Sequence, residues 1–246
     1  KEDLIFSRTV IGFSKYAKKI KPDLVFVHGD RIEALATTVS SVLNSIKIAH
    51  IEGGEVSGTK DEILRHAISK LVDFHFVSNN LAKKRLIQLG ENNKNIFVIG
   101  SPEVDLINNF KLPSLAVCKR RYGIKYKSYS VFIFHSATEE IKHIKRTLNN
   151  IFTELLNSKQ NYIIIYPNND PGSDKIIEIY KKFKNIGNFK FFPSMRFEHY
   201  QTLLKNSEFI IGNSSSGVRE APSVGIPSIN IGIRQFKRSN APTIIN

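Results

Sequence analysis

Five clusters of polar residues stand out in this sequence, because each directly follows a run of apolar residues. They are HGDR (28–31), HIEGGEVSGTKDE (50–62), HSATEE (135–140), PNND (167–170) and GNSSSGVRE (212–220). Carboxylates and imidazoles can transfer protons, while hydroxyls and glycine-rich backbone can hold phosphate groups. The clusters therefore indicate a functional site.

The first two clusters are rich in carboxylates. Acids gathered in one place can divide the roles of acid and base if their surroundings separate their pKa values. The candidate acids are Asp30, Glu52, Glu55, Asp61 and Glu62. Taken singly, each is better explained as a helix N-cap or a surface acid, and Asp61 could simply begin its helix. Three neighbouring glycines, Gly53, Gly54 and Gly58, would let the backbone approach a ligand closely.

The GNSSSGVRE cluster has the composition of a phosphate-binding loop. A glycine-flanked serine run ahead of a helix places N–H groups and hydroxyls where they can hold a diphosphate, with Ser214 and Ser215 as ligands. Glu220, one turn into a helix predicted from Gly217, can accept hydrogen bonds from ribose hydroxyls, and Arg234 can supply positive charge. An ordinary helix cap explains the serines equally well. Neither GxxxxGK[ST] nor GxGxxG is present.

His135 is the first residue of the HSATEE cluster, at the end of the predicted strand 131–134. An isolated histidine is more often structural, but an imidazole at this edge can bind a phosphate or protonate a leaving group. We therefore include His135 among the candidates.

The elements that must position these residues alternate between short β-branched runs and amphipathic segments. That pattern predicts an α/β fold with parallel sheets and helices on both faces. The predicted strands are 24–28, 46–52, 74–77, 96–100, 131–134, 162–166, 189–192, 208–212 and 228–232, and the predicted helices are 31–43, 61–72, 81–89, 139–157, one from Asp174, one from Arg196 and a short one from Gly217. Every polar cluster then follows a strand, at the edge where such folds bind ligands.

An irregular stretch at 111–129 predicts a boundary between domains spanning 1–110 and 111–246. Two doubly wound units facing each other would leave a cleft between the carboxyl ends of their sheets. We expect the ligand site in that cleft, with the acids in one unit and the diphosphate ligands in the other.

The composition narrows the class of partner. The chain has 36 Lys and Arg against 22 Asp and Glu, a formal charge of +14, which favours anionic ligands. The lysines are scattered over predicted helix surfaces, so we expect no nucleic-acid partner. No apolar run is long enough for a membrane span, no secretory signal opens the chain and Cys118 stands alone without zinc-ligand spacing. These features predict a cytoplasmic protein with no membrane partner and no structural metal.

The sequence resembles the hydrolysing UDP-N-acetylglucosamine 2-epimerases along nearly its whole length. The segments that carry the resemblance are VHGDRIEALA, IAHIEGGEVSGTKDEILRHAISKL, VIGSPEVDLI and IIGNSSSGVREAPSVGIPSINIGIRQ. The pairing of HGDR with IEGGEVSG suits the hydrolysing branch, since its non-hydrolysing relatives read closer to VEAGLRT. The resemblance implies two Rossmann-like domains of the glycosyltransferase B type, with an N-terminal unit that lacks its first strands here.

The resemblance also implies roles for individual residues. It assigns catalysis to Asp30, Glu52, Asp61 and His135, where HSAT replaces the family's HPVT. The positions that match UDP ligands are Arg31, His135, Asn168, Ser214, Ser215, Glu220 and Arg234. It implies no cofactor and no required metal ion.

The implied reaction converts UDP-N-acetylglucosamine to N-acetylmannosamine and UDP through 2-acetamidoglucal, for sialic acid-type sugar synthesis. The substrate is then a small nucleotide sugar, and we expect a homodimer or homotetramer. Three alternatives stay open. They are a hydrolysing epimerase acting on a UDP-2,4-diacetamido-trideoxy sugar or a GDP sugar, a B-type glycosyltransferase, and a sugar-nucleotide-binding protein without catalysis.

Overall fold

A computed structural model describes residues 2–109, 111–137, 141–235, 237–239 and 241–246 of the chain. The chain divides into two compact units, Lys1–Pro102 and Glu103–Asn246. Each unit is built on a parallel β-sheet with packed helices. The predicted α/β class is therefore confirmed.

The first unit begins with a long helix and then alternates strands and helices. Its strands are β1 (Leu24–His28), β2 (Lys47–Ile51), β3 (Phe74–Val77) and β4 (Ile96–Val98). Its helices are α1 (Glu2–Ile20), α2 (Ile32–Leu43), α3 (Asp61–Leu71) and α4 (Asn80–Gln88). For the four strands and for α2, α3 and α4, the predicted and observed boundaries differ by no more than two residues, because strong apolar periodicity marks each of them.

The strands of this sheet lie in the order β1-β2-β3-β4, all parallel. Val27 and Ile48 pack with Ile68 of α3, so α3 covers the sheet face to which alternate strand residues point. The neighbouring residues of the strands point to the opposite face, where Phe26, Phe76 and Phe97 form a row of ring contacts at 6.0 and 5.4 Å. Helix α1 packs on α2. In the described part of the chain, no helix is long and apolar enough to cross a bilayer.

The second unit has a larger sheet. Its strands are β5 (Ser130–Ile133), β6 (Tyr162–Ile165), β7 (Phe189–Phe192), β8 (Ile210–Gly212), β9 (Ser228–Asn230) and β10 (Ile244–Ile245). Its helices are α5 (Pro102–Asn109), α6 (Leu115–Arg121), α7 (Ile144–Asn157), α8 (Ser173–Phe183), α9 (Phe197–Lys205) and α10 (Glu220–Ser223).

The strand order of the second sheet is β10-β9-β8-β5-β6-β7, again all parallel. The chain runs outward from β5 to β7, returns through α9, and then runs outward in the other direction from β8 to β10. Phe132 of β5 packs with α7 and α8 on one face, while Val131 and Ile133 pack with α6 and α9 on the other. The sheet is therefore doubly wound, and its topological switch point lies between β5 and β8.

Three predicted elements of this unit differ from the structure. Helix α6 lies inside the stretch that the sequence predicts to be irregular. Helix α7 begins at Ile144, and residues 138–140 of the HSATEE cluster lie outside the described residues. The predicted helix from Gly217 is wrong. A 3-10 helix spans Ser215–Gly217, and α10 begins only at Glu220, because Pro222 is compatible with the first turn of a helix but not with its interior.

Candidate functional site

The HGDR and HIEGGEVSGTKDE clusters lie beside each other at the carboxyl end of the first sheet. Strands β1 and β2 pair in register, with His28 opposite Ile51. The loops that follow both strands therefore leave the sheet at neighbouring points. This register places Asp30 and Glu52, 22 residues apart in sequence, on the same edge.

Asp30 is paired with a buried arginine that the sequence analysis does not single out. The guanidinium group of Arg65, on α3, donates a hydrogen bond from Nη2 to the Asp30 carboxylate. Its Nη1 donates to the main-chain oxygen of Glu55 at 2.8 Å. The Arg65 side chain is only 2% exposed, whereas the Asp30 side chain is 24% exposed, so the charge-assisted hydrogen bond joins a buried guanidinium group to a carboxylate that still reaches solvent. Arg65 therefore fixes Asp30 relative to the glycine-rich loop.

Glu52 has a strained backbone. Its φ angle is +67°, in the left-handed region that residues with a Cβ rarely occupy, and the residue is 8% exposed. Its carboxylate oxygen Oε2 lies 3.3 Å from His28 Nε2. Backbone strain of this kind costs on the order of 1 kcal/mol and is concentrated at functional sites. The local fold thus holds a carboxylate and an imidazole together at the strand end.

Asp61 and Glu62 form the first turn of α3. The Asp61 carboxylate accepts a hydrogen bond from the Thr59 hydroxyl at 3.1 Å, and Glu62 accepts one from the main-chain N–H of Ser57 at 2.6 Å. Asp61 is the first helical residue, and Lys60 occupies the cap position. Asp61 therefore begins its helix, as the alternative to a catalytic role expects, and its carboxylate lies one turn before Arg65.

The buried ring of His50 contacts the main chain of the HGDR loop. Its ring is buried, with Nε2 at 2.8 Å from the Gly29 main-chain oxygen and Nδ1 at 3.1 Å from the Ser69 hydroxyl. Burial lowers the pKa of His50 to about 4, so the ring is neutral at pH 7. With Nε2 protonated, the imidazole donates to the carbonyl of the residue that precedes Asp30.

Two glycines of this region serve packing, which differs from the expected close approach to a ligand. A Cβ on Gly53 would lie 2.9 Å from His50 Nδ1, and one on Gly54 would lie 2.4 Å from the Ala82 main-chain oxygen of α4. Both contacts are shorter than real Cβ atoms make. The glycines therefore let the loop pack against its own unit.

In the second unit, the polar clusters meet at the switch point between β5 and β8. Asn213, directly after β8, is completely buried, and its side chain bonds both main-chain groups of His135, two residues after the end of β5. Asn213 Oδ1 accepts from the His135 N–H at 2.6 Å, and Nδ2 donates to the His135 oxygen at 2.8 Å. These two bonds lock the strand ends together.

The His135 ring is oriented by the PNND cluster. The main-chain N–H of Asn168 donates to His135 Nδ1 at 3.2 Å. A ring nitrogen that accepts a hydrogen bond carries no proton, so the neutral imidazole must carry its proton on Nε2. Nε2 is then the ring atom that can donate to a ligand. The amide oxygen of Asn168 is buried and has no hydrogen-bond partner among the described residues.

The serine loop after β8 is fixed by hydrogen bonds within the loop and with a buried tyrosine. The Ser214 hydroxyl accepts a hydrogen bond from the Ser216 N–H at 3.3 Å, as a cap of the 3-10 helix. The buried hydroxyl of Ser216 contacts the hydroxyl of Tyr200. Burial raises the pKa of Tyr200 and the charge of Glu220 raises it further, so this hydroxyl stays protonated. Glu220 lies at the first position of α10, where its charge also suits the helix dipole.

The two candidate arginines lie in different places. Arg234, after β9, donates from Nη1 to the Asn213 main-chain oxygen at 3.2 Å and so joins the switch-point cluster. Arg31 precedes α2 in the first unit, where its side chain is half-exposed and its Nε lies 4.0 Å from Glu33. The structure thus brings His135, Asn168 and Arg234 into one hydrogen-bonded network through Asn213.

Three supporting residues escape the sequence analysis. Arg65 follows Asp61 at the spacing of one helical turn, but a lone arginine in an amphipathic helix usually faces water. Tyr200 has the pattern of a core aromatic residue. Asn213 stands inside the GNSSSGVRE cluster, where its position next to the serines was the available signal.

Each set of residues lies at the carboxyl ends of a parallel sheet, which defines an α/β protein of the Rossmann-like, ligand-binding class. The family model for UDP-N-acetylglucosamine 2-epimerase matches residues 2–245. The chain belongs to the UDP-N-acetylglucosamine 2-epimerase family.

The relatives include enzymes named for different substrates. The chain is 44% identical over 242 residues to the UDP-N-acetylglucosamine 2-epimerase of Neisseria meningitidis, covering 98% of the chain and 64% of that protein. It is 34% identical over 238 residues to the hydrolysing UDP-N,N'-diacetylbacillosamine 2-epimerase of Legionella pneumophila, covering 96% of the chain and 63% of that protein. The chain therefore spans somewhat less than two thirds of the length of these relatives.

Solved structures share the fold. The UDP-GlcNAc 2-epimerase of Methanocaldococcus jannaschii, in complex with UDP-GlcNAc and UDP, matches with a TM-score of 0.82 at 22% identity, covering 96% of this chain and 67% of that chain. A UDP-GlcNAc 2-epimerase from Neisseria meningitidis bound to UDP-GlcNAc matches with a TM-score of 0.80 at 19% identity, with the same coverage.

Proposed function

We propose that the protein containing this chain is a hydrolysing UDP-N-acetylglucosamine 2-epimerase. It converts UDP-N-acetylglucosamine and water to N-acetylmannosamine and UDP. The 44% identity to the Neisseria meningitidis enzyme supports the substrate. The observation that carries the chemistry is Glu52, whose carboxylate is buried, set on a left-handed backbone and placed 3.3 Å from His28. The strained backbone of Glu52 places its carboxylate beside the His28 imidazole, and such a pair can act as acid and base.

The first half of the reaction is an elimination. A carboxylate of the first unit removes the proton from C2 of the sugar, the electron pair of that bond forms the C1=C2 double bond, and the bond from C1 to the phosphate oxygen breaks. The products are 2-acetamidoglucal and UDP. Because the C2 proton is only weakly acidic, the carboxylate must be well positioned, and the diphosphate charge must be stabilised as it leaves.

The second half is a hydration. Water adds its oxygen to C1, a protein acid delivers a proton to C2 from the opposite face, and the proton lost by the water returns to a carboxylate. The product is N-acetylmannosamine, with the inverted configuration at C2. We assign the proton transfers to Asp30, Glu52 and Asp61. Paired environments such as Asp30 with Arg65 and Glu52 with His28 let neighbouring acids play different roles.

The second unit holds the nucleotide in this proposal. His135 presents a protonated Nε2 and Arg234 a guanidinium group, and both are fixed to Asn213. These donors, with the hydroxyls of Ser214 and Ser215, suit the departing diphosphate. Glu220 accepts hydrogen bonds from the ribose, and Asn168 and Arg31 complete the set of UDP ligands. The unpartnered amide oxygen of Asn168 suits a donor group of the nucleotide.

Proton NMR of the full-length protein with UDP-N-acetylglucosamine in deuterium oxide tests the proposal. Elimination and hydration must release UDP and place deuterium at C2 of N-acetylmannosamine. Release of UDP without deuterium at C2 would overturn the mechanism, and epimerisation of the intact nucleotide sugar would assign the chain to non-hydrolysing chemistry.

A second substrate is favoured by the relatives at 34% identity. Besides the Legionella pneumophila enzyme, a GDP/UDP-N,N'-diacetylbacillosamine 2-epimerase (hydrolyzing) of Campylobacter jejuni matches 96% of the chain. Such a substrate is a different sugar with a second acetamido group. The proposed reaction at C1 and C2 would be the same. Turnover of UDP-N,N'-diacetylbacillosamine in the same NMR assay, with none of UDP-N-acetylglucosamine, would move the assignment to that sugar.

A further inference from the structure

The strongest unassigned feature is Asn213, which joins otherwise separate loops of the second unit. Backbone pairing between β5 and β8 ends at Ile133 and Gly212. The Asn213 side chain continues that pairing for one more step, because it bonds the N–H and the oxygen of His135 at 2.6 and 2.8 Å. The Asn213 side-chain amide thus takes the place of a backbone partner just beyond the end of the β5–β8 pairing.

The main chain of Asn213 anchors a third loop. Its carbonyl oxygen accepts hydrogen bonds from Arg234 Nη1 at 3.2 Å and from Gln235 Nε2 at 2.9 Å. Gln235 is buried, so this second bond is shielded from water. One residue therefore bonds both the residue that presents an imidazole and the residue that presents a guanidinium group.

Gly212 makes this arrangement possible. Its φ angle is +138°, and a Cβ there would lie 1.9 Å from the Ile133 main-chain oxygen. Only glycine lets the chain pass so close to β5. The close approach brings Asn213 within reach of His135.

We propose that Asn213 is a positioning residue, which fixes His135 and Arg234 relative to each other so that both bind one diphosphate. The inference rests on the proposed function and adds the means of holding the site. An amide suits this role because it offers one donor and one acceptor side by side, matching the N–H and the oxygen of a single residue. Aspartate offers only acceptors, and alanine offers neither.

The test compares Asn213→Ala and Asn213→Asp with a matched control, Asn161→Ala. Asn161 lies at the amino end of the same sheet, where its Nδ2 donates to the Ser128 oxygen at 3.1 Å. Calorimetry with UDP is carried out on the full-length protein. We expect both Asn213 variants to bind UDP about tenfold more weakly, or worse, since two donors lose their alignment. The control should stay within about twofold of the wild type.

A double-mutant cycle separates positioning from simple loss of stability. Arg234→Ala should weaken UDP binding strongly in the wild type but only slightly in Asn213→Ala, because the guanidinium is already misplaced there. Equal effects of Arg234→Ala in both backgrounds would overturn the proposal. Asn213→Asp serves for the cycle if the alanine variant does not fold.

A readout without ligand keeps the inference separate from the proposed function. Nitrogen-15 NMR of the histidine rings, with the His135 signals identified among the seven histidines by the His135→Gln variant, should show the Nε2-protonated tautomer in the wild type. We expect a mixture of tautomers in both Asn213 variants. An unchanged tautomer overturns the positioning role. Failure of the wild type to bind UDP instead overturns the proposed function, while the tautomer still decides the role of Asn213.

Discussion

Arg65 donates a hydrogen bond to Asp30 across 35 residues of sequence, and its side chain is almost completely buried. The pair connects the loop after β1 with the first turns of α3. Arg65 thus holds the carboxylate to which we assign a catalytic role.

Asp30→Asn should reduce turnover about 10²–10⁴-fold, the range expected for loss of a general acid or base. An asparagine oxygen still accepts the hydrogen bond from Arg65, so the loop should keep its conformation and UDP should still bind. Steady-state kinetics and UDP calorimetry measure the two effects. Asp73→Asn is the matched control, since Asp73 accepts a hydrogen bond from the Ile48 N–H at 2.8 Å at the amino end of the sheet. Intact activity of Asp30→Asn would remove Asp30 from the mechanism.

Arg65→Lys should lower kcat while leaving the KM for the nucleotide sugar nearly unchanged. Lysine keeps the charge but cannot reproduce the fixed fork that reaches both the Asp30 carboxylate and the Glu55 oxygen. Arg85→Lys provides the comparison, because Arg85 donates one hydrogen bond, to the Gly54 oxygen at 3.2 Å, which an ammonium group can replace. Equal kinetics for the two variants would argue against the positioning of Asp30 by Arg65.

Glu52→Gly and Glu52→Ala should both be inactive but should differ in stability. Both lack the carboxylate, and only alanine keeps the cost of a Cβ at a φ of +67°. We expect the glycine variant to be more stable by about 1 kcal/mol, the typical cost of a left-handed residue with a side chain. Urea denaturation measures the difference. Equal stabilities would mean that the backbone at this position is not strained.

The pKa of His50 predicts a loss of stability in weak acid. The folded protein holds the ring neutral down to a pKa of about 4, whereas the unfolded chain binds the proton at its ordinary pKa of 6.5. The unfolded state therefore binds more protons between these values, and the free energy of unfolding should fall as the pH falls from 6.5 to 4. The full effect is on the order of 3 kcal/mol.

Urea titrations at several pH values, on the wild type and on His50→Gln, measure this effect. The difference in the free energy of unfolding between the two proteins should shrink as the pH falls, because only the wild type carries this histidine. Other histidines contribute equally to both proteins and cancel. A difference that stays constant from pH 7 to pH 4 would contradict a buried neutral His50.

Gly212→Ala should unfold the second unit or weaken UDP binding severely, because the new Cβ would overlap the Ile133 main-chain oxygen. Gly90→Ala is the control for strain alone. Gly90 has a φ of +87° with no atom within 4 Å of a built Cβ, so alanine there should cost only about 1 kcal/mol. Thermal unfolding of both variants separates a clash from a left-handed backbone. Similar melting temperatures would refute the close approach of β8 to β5.

All the strands except the two-residue β10 were predictable from sequence, most clearly the buried ones, because buried parallel strands are continuous apolar runs, as in VFIF at 131–134 and YIIIY at 162–166. The short helices were not. Leu115–Arg121 has too few turns for a period to emerge among its basic residues, and Glu220–Ser223 contains a proline that masks its start.

The catalytic candidates were visible as polar residues at strand ends, but their partners were not. Arg65 and Asn213 acquire their roles from contacts with residues 35 and 78 positions away. Such contacts depend on strand order and register, which a single sequence does not specify. The convergence of the acids with the nucleotide ligands on one sugar nucleotide stays a prediction.

Helix α3 begins with Asp61 and reaches Arg65 one turn later, so one helix carries both a proposed catalytic carboxylate and the guanidinium group that holds Asp30. This linkage has an evolutionary consequence. A one-residue insertion between Asp61 and Arg65 would rotate the two groups by about 100° relative to each other around the helix axis, and no single substitution could restore their arrangement. The exposed side of the same helix, where Ile63 is 72% exposed, should tolerate substitutions. Point changes there should accumulate in laboratory selections, whereas insertions and deletions between Asp61 and Arg65 should be lost.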